Sequence, residues 1–459
     1  MFTKPLIQTL TASALITTAF FSGCGSDSDG KTKVSRAAVK SNYVTMAAAA
    51  YSDSVTTAET LQTAIATFVS TPNDETLDAA RAAYKAARVP YQQSEIMRWD
   101  GSITQHHNPA EGGLSSIDDR EGQVNAWPLD ESLIEHIITN GSNELSAQSL
   151  ASQNGSLTPS QQQEVDNETD ADKKQALIDR YGETNITTGF HAIEFLLWDK
   201  DANAKGPGQR LATEFNCDKG IDATSEECRN ADYLQAAAEL LVTDLKAMKA
   251  EWTNTNTGTL AHNFLASDNA IDYMVQALAS MAVGELGGAR LSAGLWRDLS
   301  AIGGGIKAGD QEEEHDCFSD LSHVAVYYNF QALMNAFYGS YTKLDGSKIT
   351  GASLGDYIRS VDAGLYKQLD DVLQSANAQM QIVYDAGEAT PGKSFDQIIT
   401  DSYNYYDSNS PEHVTVKSAE LIAVEAAITE LAKVKTITLD VIDALSLAGV
   451  DAGSIGDTD

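Results

Sequence analysis

Apolar residues recur at three- and four-residue spacing along nearly the whole chain, and sustained apolar–polar alternation is absent. That period belongs to amphipathic helices, because residues three and four apart share one helix face. Val34 to Val69 predicts a long Ala-rich helix that stops before Thr71-Pro72. Asp74 opens a second helix reaching about Trp99, with a kink expected at Pro90. Leu129 to Ile138, Thr187 to Trp198 and Tyr233 to Trp252 continue the pattern. Beyond a polar stretch at Thr253 to Gly258 it resumes near Asp268 to Leu286, Phe318 to Tyr341, Leu354 to Val383 and Glu412 to Leu447. Gly101 to Gln123 and Asp199 to Arg229 read as loops. Asn140 to about Asp172, rich in Ser, Gln and Asn, reads as a mobile polar insert. The expected fold is all-α, with two helical bundles at residues 34–252 and 259–447. Length agrees, since 459 residues exceed what one core usually handles.

The ends carry a different signal. Lys4 and the mildly apolar Leu6 to Phe21 lead into Phe21-Ser22-Gly23-Cys24. Small residues before a cysteine resemble a bacterial lipobox, so residues 1–23 are expected to be a lipoprotein signal peptide. Cys24 would then be acylated and residues 24–33 would form a flexible tether. Gly25 after that cysteine, rather than Asp, points to the outer membrane, and residues 448–459 read as an acidic tail. No other run approaches the roughly 20 apolar residues of a spanning helix.

Charge and cysteines narrow the partners. Asp and Glu number 65 against 31 Lys and Arg, a formal charge of -34. Nucleic-acid binding rests on neutralising phosphate with cations, so this balance argues against it. It fits cation capture, and equally an acidic surface suited to a saline habitat. With Cys24 assigned to lipid, Cys217 and Cys228 are expected to pair in an exported compartment. Cys317 is left as a buried thiol or a metal ligand.

The densest chemistry lies in Gly189-Phe190-His191-Ala192-Ile193-Glu194 and the Phe195-Leu196-Leu197-Trp198 that follows. His191 and Glu194 share a helix face inside an apolar segment, and a buried carboxylate is costly unless hydrogen-bonded, paired or bound to a cation. They supply at most two ligands, and no His-Glu-x-x-His zinc-protease motif occurs. Glu312 with His315, and Asp320 with His323, are spaced i, i+3. His315, Asp316 and Asp320 crowd the expected start of a helix. A mixed imidazole–carboxylate set suits iron, zinc or copper. The alternative is a polar pair locking helix to helix, with Asp320 as an N-cap. Glu95 with Arg98, and Glu285 with Arg290, either form ion pairs or wall a pocket for a carboxylate-bearing ligand such as a ferric chelate. Trp127 and Trp198 read as core fillers. Gly387 to Ser394 satisfies the P-loop pattern, but no parallel sheet is predicted to hold it, so no nucleotide is expected.

Taken together, Gly189-x-His191-x-x-Glu194 and its flanks resemble the signature of the imelysin family. Pro90 to Glu95, Val124 to Glu131, Gly284-Glu285-Leu286 with Arg290, and Glu313 to Asp320 agree with that pattern. Asp199 stands where the family usually has Gly, and the polar insert is a second departure. The resemblance implies two helical domains with the site near their interface. It also implies kinship with iron-regulated outer-membrane lipoproteins and with a protein proposed to cleave insulin. The expectation is a lipid-anchored protein that binds iron, or an iron complex, for metal acquisition without catalysis, iron being favoured over zinc and copper. In that reading His191, Glu194, His315, Asp316 and Asp320 hold the metal, and Glu95, Arg98, Glu285 and Arg290 wall the pocket. The expected partners are the outer-membrane lipid and an iron-transport protein. Alternatives are a metallopeptidase using His191 and Glu194, or a lipoprotein that binds a receptor or transporter.

Overall fold

A computed structural model describes residues 34–98, 117–140, 145–202, 206–300 and 304–447. The signal segment, Cys24, the tether, the acidic tail and most of the Gly101–Gln123 loop lie outside the described residues. Helix α1 (Arg36–Ser70) is followed by α2 (Asp74–Ser94), and a three-residue turn folds the two against each other. Asn73 and Thr76 form a reciprocal capping box that starts α2. The helix runs through Pro90 and ends in a 3-10 turn at Glu95–Met97.

Small helices then wrap this pair: α3 (Ile117–Val124), α4 (Glu131–Asn140), α5 (Ala147–Ala151), α6 (Pro159–Asn167), α7 (Ala171–Thr184) and α8 (Gly189–Trp198). The polar insert expected to be mobile is therefore folded. Capping boxes at Ser146 and Thr158 and the Asp170 cap satisfy first-turn amides. Leu150, Val165 and Tyr181 bury one apolar anchor per helix. Such short helices carry too few periods to show in an apolar pattern. Helix α9 (Glu226–Thr253) packs along α1 and against α8. The Cys217–Cys228 disulfide closes the turn ahead of it, and Cys317 is a buried thiol.

The second half opens with α10 (Leu260–Ala266) and α11 (Ala270–Ala279), which passes without a break into a π-helix at Ser280–Arg290. A short hairpin pairs β1 (Arg297–Asp298) with β2 (Ile306–Lys307). After it come α12 (Ser322–Tyr338) and a second hairpin, β3 (Ser340–Thr342) with β4 (Lys348–Thr350). Then follow α13 (Leu354–Val361), α14 (Ala363–Glu388), α15 (Phe395–Tyr406) and α16 (Ala419–Leu445). The fold is all-α apart from these two hairpins. The hairpins and α15 were not foreseen, being too short or too weakly patterned.

Helix α14 packs on α16 and α12, and α16 packs on the π-helix. Helix α12 also packs on α2, and one continuous apolar cluster runs from Val39 to Leu447. The α2–α12 seam matters most, because the chemistry lies along it. No helix among the described residues is long and apolar enough to cross a membrane.

Candidate functional site

All ten residues of α8 are buried, so its polar side chains must find partners inside the protein. Gly189 fixes how the helix enters. Its φ is 83°, and a Cβ there would stand 2.4 Å from the Val124 carbonyl oxygen. The Thr188 hydroxyl donates to the Gln123 carbonyl at 2.9 Å, tying the same corner. From this start His191 and Glu194 face the seam.

The His191 Nδ1 lies 2.8 Å from Glu194 Oε2. Glu194 also accepts from the Ser319 amide at 3.0 Å, the Ser319 hydroxyl at 2.6 Å and the Tyr84 hydroxyl at 3.2 Å. Burial still wins, and its carboxyl is raised to about 7. Burial, reinforced by Arg88, lowers His191 to about 3, so its imidazole is neutral. With Glu194 ionised, Nδ1 carries the proton and Nε2 the lone pair. That Nε2 is buried and has no hydrogen-bond partner. Trp127 packs on the ring with centroids 4.9 Å apart, and His315 with centroids 5.0 Å apart.

The opposing wall is the segment Glu314 to Asp320, seven consecutive buried residues held in turns rather than helix. The Gly208 amide donates to the Phe318 carbonyl at 2.9 Å, and the Asp316 amide to the Ser322 hydroxyl at 2.8 Å. Asp316 Oδ1 is 2.9 Å from the Arg88 guanidinium, yet neither Asp316 oxygen receives a well-angled hydrogen bond. Burial raises this carboxyl while Arg88 opposes the rise. His191, Glu194 and Asp316 each present a ligand atom, all within 4.8 Å of one another. His315 borders the group, its Nε2 3.5 Å from Arg88, and burial holds it well below the usual histidine range.

Asp320 does not join this trio. It lies with Asp201 and Asp396, where burial, followed by Asp396, pushes it up to about 8. Nor does it cap a helix, since Leu321 is the N-cap of α12 and Asp320 has φ 58°. The ring Nε2 of His323 pairs with Glu388 at 2.8 Å, and Glu312 is exposed.

Glu95, Arg98, Glu285 and Arg290 form a closed ion-pair network rather than an open pocket wall. Arg290 meets Glu95 at 2.9 Å and Glu285 at 3.0 Å, while Arg98 meets Glu95 at 3.2 Å and Glu285 at 2.5 Å. All four are buried, Glu285 being the most exposed at 8%. Asn125 donates to Glu95 at 3.1 Å, and Asn329 and Arg290 hydrogen-bond as well. Burial pushes Glu95 up, but Arg290 and Arg98 outweigh it and hold the carboxyl at about 2. Glu121 adds a third carboxylate 3.6 Å from Arg98, so both guanidiniums are already matched and the network leaves no positive charge for a chelate to neutralise.

The π-helix explains this arrangement. Residues five apart stack in i→i+5 hydrogen bonding, whereas an α-helix would turn Glu285 and Arg290 about 140° apart. The pattern-based reading also missed Tyr84, Arg88, Gln92, Ser319 and Asn329. Tyr84, Arg88, Gln92 and Glu95 step by four, four and three along α2 and into the 3-10 turn that ends it, a polar stripe visible in the sequence. Trp198 packs against Tyr84 and Arg81, and Trp127 against Phe318 and both histidines. The P-loop-like stretch begins at the C-terminal end of α14, and Lys393 sits between Asp401 at 2.5 Å and Glu420 at 2.8 Å.

The sequence profile of the imelysin family matches residues 47–409. The chain belongs to the imelysin family. Among solved structures, a candidate iron-regulated protein A precursor from Parabacteroides distasonis ATCC 8503 is similar, with a TM-score of 0.53 and 17% identity. That match covers 92% of this chain and 100% of the other. An imelysin-like protein from Psychrobacter arcticum 273-4 gives a TM-score of 0.47 and 14% identity, covering 92% of this chain and 99% of the other. At these identities the likeness concerns the fold. No curated protein matches the sequence. In this imelysin the Gly-x-His-x-x-Glu motif is α8, and the Glu313 to Asp320 segment lies across the seam from it.

Proposed function

We propose that this imelysin binds a transition-metal ion at His191, Glu194 and Asp316, with His315 as a neighbouring fourth donor, and that the ion is iron. The observation that carries the reading is a buried trio with close ligand atoms, in which the neutral His191 has an unpartnered Nε2 and the Asp316 carboxyl lacks good hydrogen bonds. Ligand atoms of three residues within 4.8 Å of one another, among side chains with unsatisfied lone pairs, are what a metal ion satisfies. The mixed nitrogen and oxygen set fits iron, and zinc and copper compete for the same donors. Glu194 orients His191 through Nδ1, as carboxylates do behind metal-bound imidazoles, or ligates directly. Arg88 balances Asp316 before an ion arrives.

Burial supports binding over proteolysis. His191 is 1% exposed, and Glu194 and Asp316 are 0%. An ion reaches such a site through small openings, whereas a peptide bond needs a cleft. The similar Parabacteroides protein bears an iron-regulated name, which agrees with metal acquisition as the setting. In that setting Cys24 anchors the chain to the outer membrane, and a transport protein receives the ion. Metal analysis of protein purified without chelator tests the reading. Wild type should retain about one ion per chain, and His191→Ala and Asp316→Asn should lose most of it. Equal metal in all three would overturn the assignment.

A further inference from the structure

A second group of acids lies beside the first and shares no ligand with it. Asp201 comes from the turn after α8, Asp320 from the end of the buried 314–320 segment, and Asp396 from the first turn of α15. One oxygen of each lies within 4.8 Å of the others. Asp320 Oδ1 and Asp396 Oδ2 are buried without a hydrogen-bond partner, while the other Asp396 oxygen accepts from the Ser394 hydroxyl.

Glu314 is an independent sign that something is held here. It is 1% exposed, neither of its carboxylate oxygens has a hydrogen-bond partner, and Asp320 and Asp396 are the charges it feels most strongly. Ser322 lies close to it without a well-angled hydrogen bond to either oxygen. Glu314, Asp320 and Asp396 make no ion pair among the described residues. Neighbouring cations are engaged elsewhere, Lys393 on Asp401 and Glu420, and Lys85 on Glu388. Buried carboxylates in this state need protons or a cation. One oxygen from each of Asp201, Asp320 and Asp396 lies close enough to the others for one cation to meet all three, beside the buried Glu314.

We propose that Asp201, Asp320 and Asp396 form a calcium site, with Glu314 as the buried acid beside it. The donor set is all oxygen, which selects a hard cation. Several carboxylates converging on one point suit calcium, with its six to eight flexible ligands, better than magnesium, which keeps several of its waters. Asp201, half-buried, gives the ion its way in. Bound calcium staples three segments that otherwise repel one another. One of them is the 314–320 segment that places His315, Asp316 and Ser319 against α8. The site is therefore structural, and it stands whether or not the His191 group binds iron.

The test is equilibrium dialysis of the chelator-stripped protein against calcium alone. It is run at 0.5 M NaCl so that the acidic surface is screened. One calcium per chain is expected in wild type and in His191→Ala. Affinity should fall at least tenfold in Asp320→Asn, Asp396→Asn and Glu314→Gln. These substitutions keep shape and remove repulsion, so in the absence of calcium each variant should melt no lower than wild type. Calcium should raise the wild-type Tm by roughly 2 °C or more, and leave the variants unmoved. No saturable calcium in wild type at millimolar concentration would overturn the proposal, as would variants that bind as wild type does.

Discussion

At the residue scale, this imelysin holds two buried carboxyls with opposite pH behaviour. Glu95 is held at about 2, below its ordinary 4.5, so its stabilising effect is full above about pH 4.5. That contribution is withdrawn as pH falls through the folded value. Glu194 is raised to about 7, so the metal-free protein should lose stability as pH rises from about 4.5 through 7. Denaturant titrations across pH 3 to 8 should show a smaller loss in Glu194→Gln than in wild type, because Asp316 and Asp320 are raised too; identical slopes would contradict the assignment. Removing Arg290 leaves Glu95 and Glu285 underpaired inside the protein. Arg290→Met should therefore cost about 3–5 kcal/mol at neutral pH, and less toward pH 2. A loss below about 1 kcal/mol would mean that the network does not hold the seam. His191 and Glu194 were legible from spacing alone, because a polar pair in an apolar helix is conspicuous. The partnering of Arg88 with Asp316, residues more than 200 positions apart, was not, since nothing local records which helices meet.

At the scale of elements, α8 and the π-helix do the positioning. Gly189 lets the chain turn with φ 83° under the Val124 carbonyl. Gly189→Ala adds left-handed strain of about 1–2 kcal/mol and a backbone clash besides, so a total loss of at least about 2 kcal/mol is expected. Thermal unfolding reads it directly, and an unchanged Tm would remove Gly189 from this role. Long helices such as α1, α2 and α9 were readable because many apolar periods repeat. The segment 314–321 was expected to start a helix near Phe318, but it stays in turns until Ser322. Its Phe318 carbonyl accepts from the Gly208 amide, and its Ser319 amide and hydroxyl donate to Glu194, partners that a local pattern does not show. The glycines at 284, 287 and 288 were the available hint of an irregular helix at Glu285.

Across the whole molecule, buried polar residues of both halves gather into three groups. One is a closed ion-pair network, one a set of oxygen donors, and one the His191–Glu194–Asp316 trio. The first was expected as a pocket wall, and the trio and the oxygen donors divide what was expected as a single site. Composition pointed to cations through a charge of -34, and the structure moves that chemistry inward, to buried acids without partners. The central claim is that the trio holds a metal ion. Diffraction from crystals grown with iron, recorded at the iron absorption edge, tests it most directly. An anomalous peak is expected about 2.0–2.2 Å from His191 Nε2 and an Asp316 oxygen. A fully ordered seam with no peak there, or with iron bound only elsewhere, would contradict it.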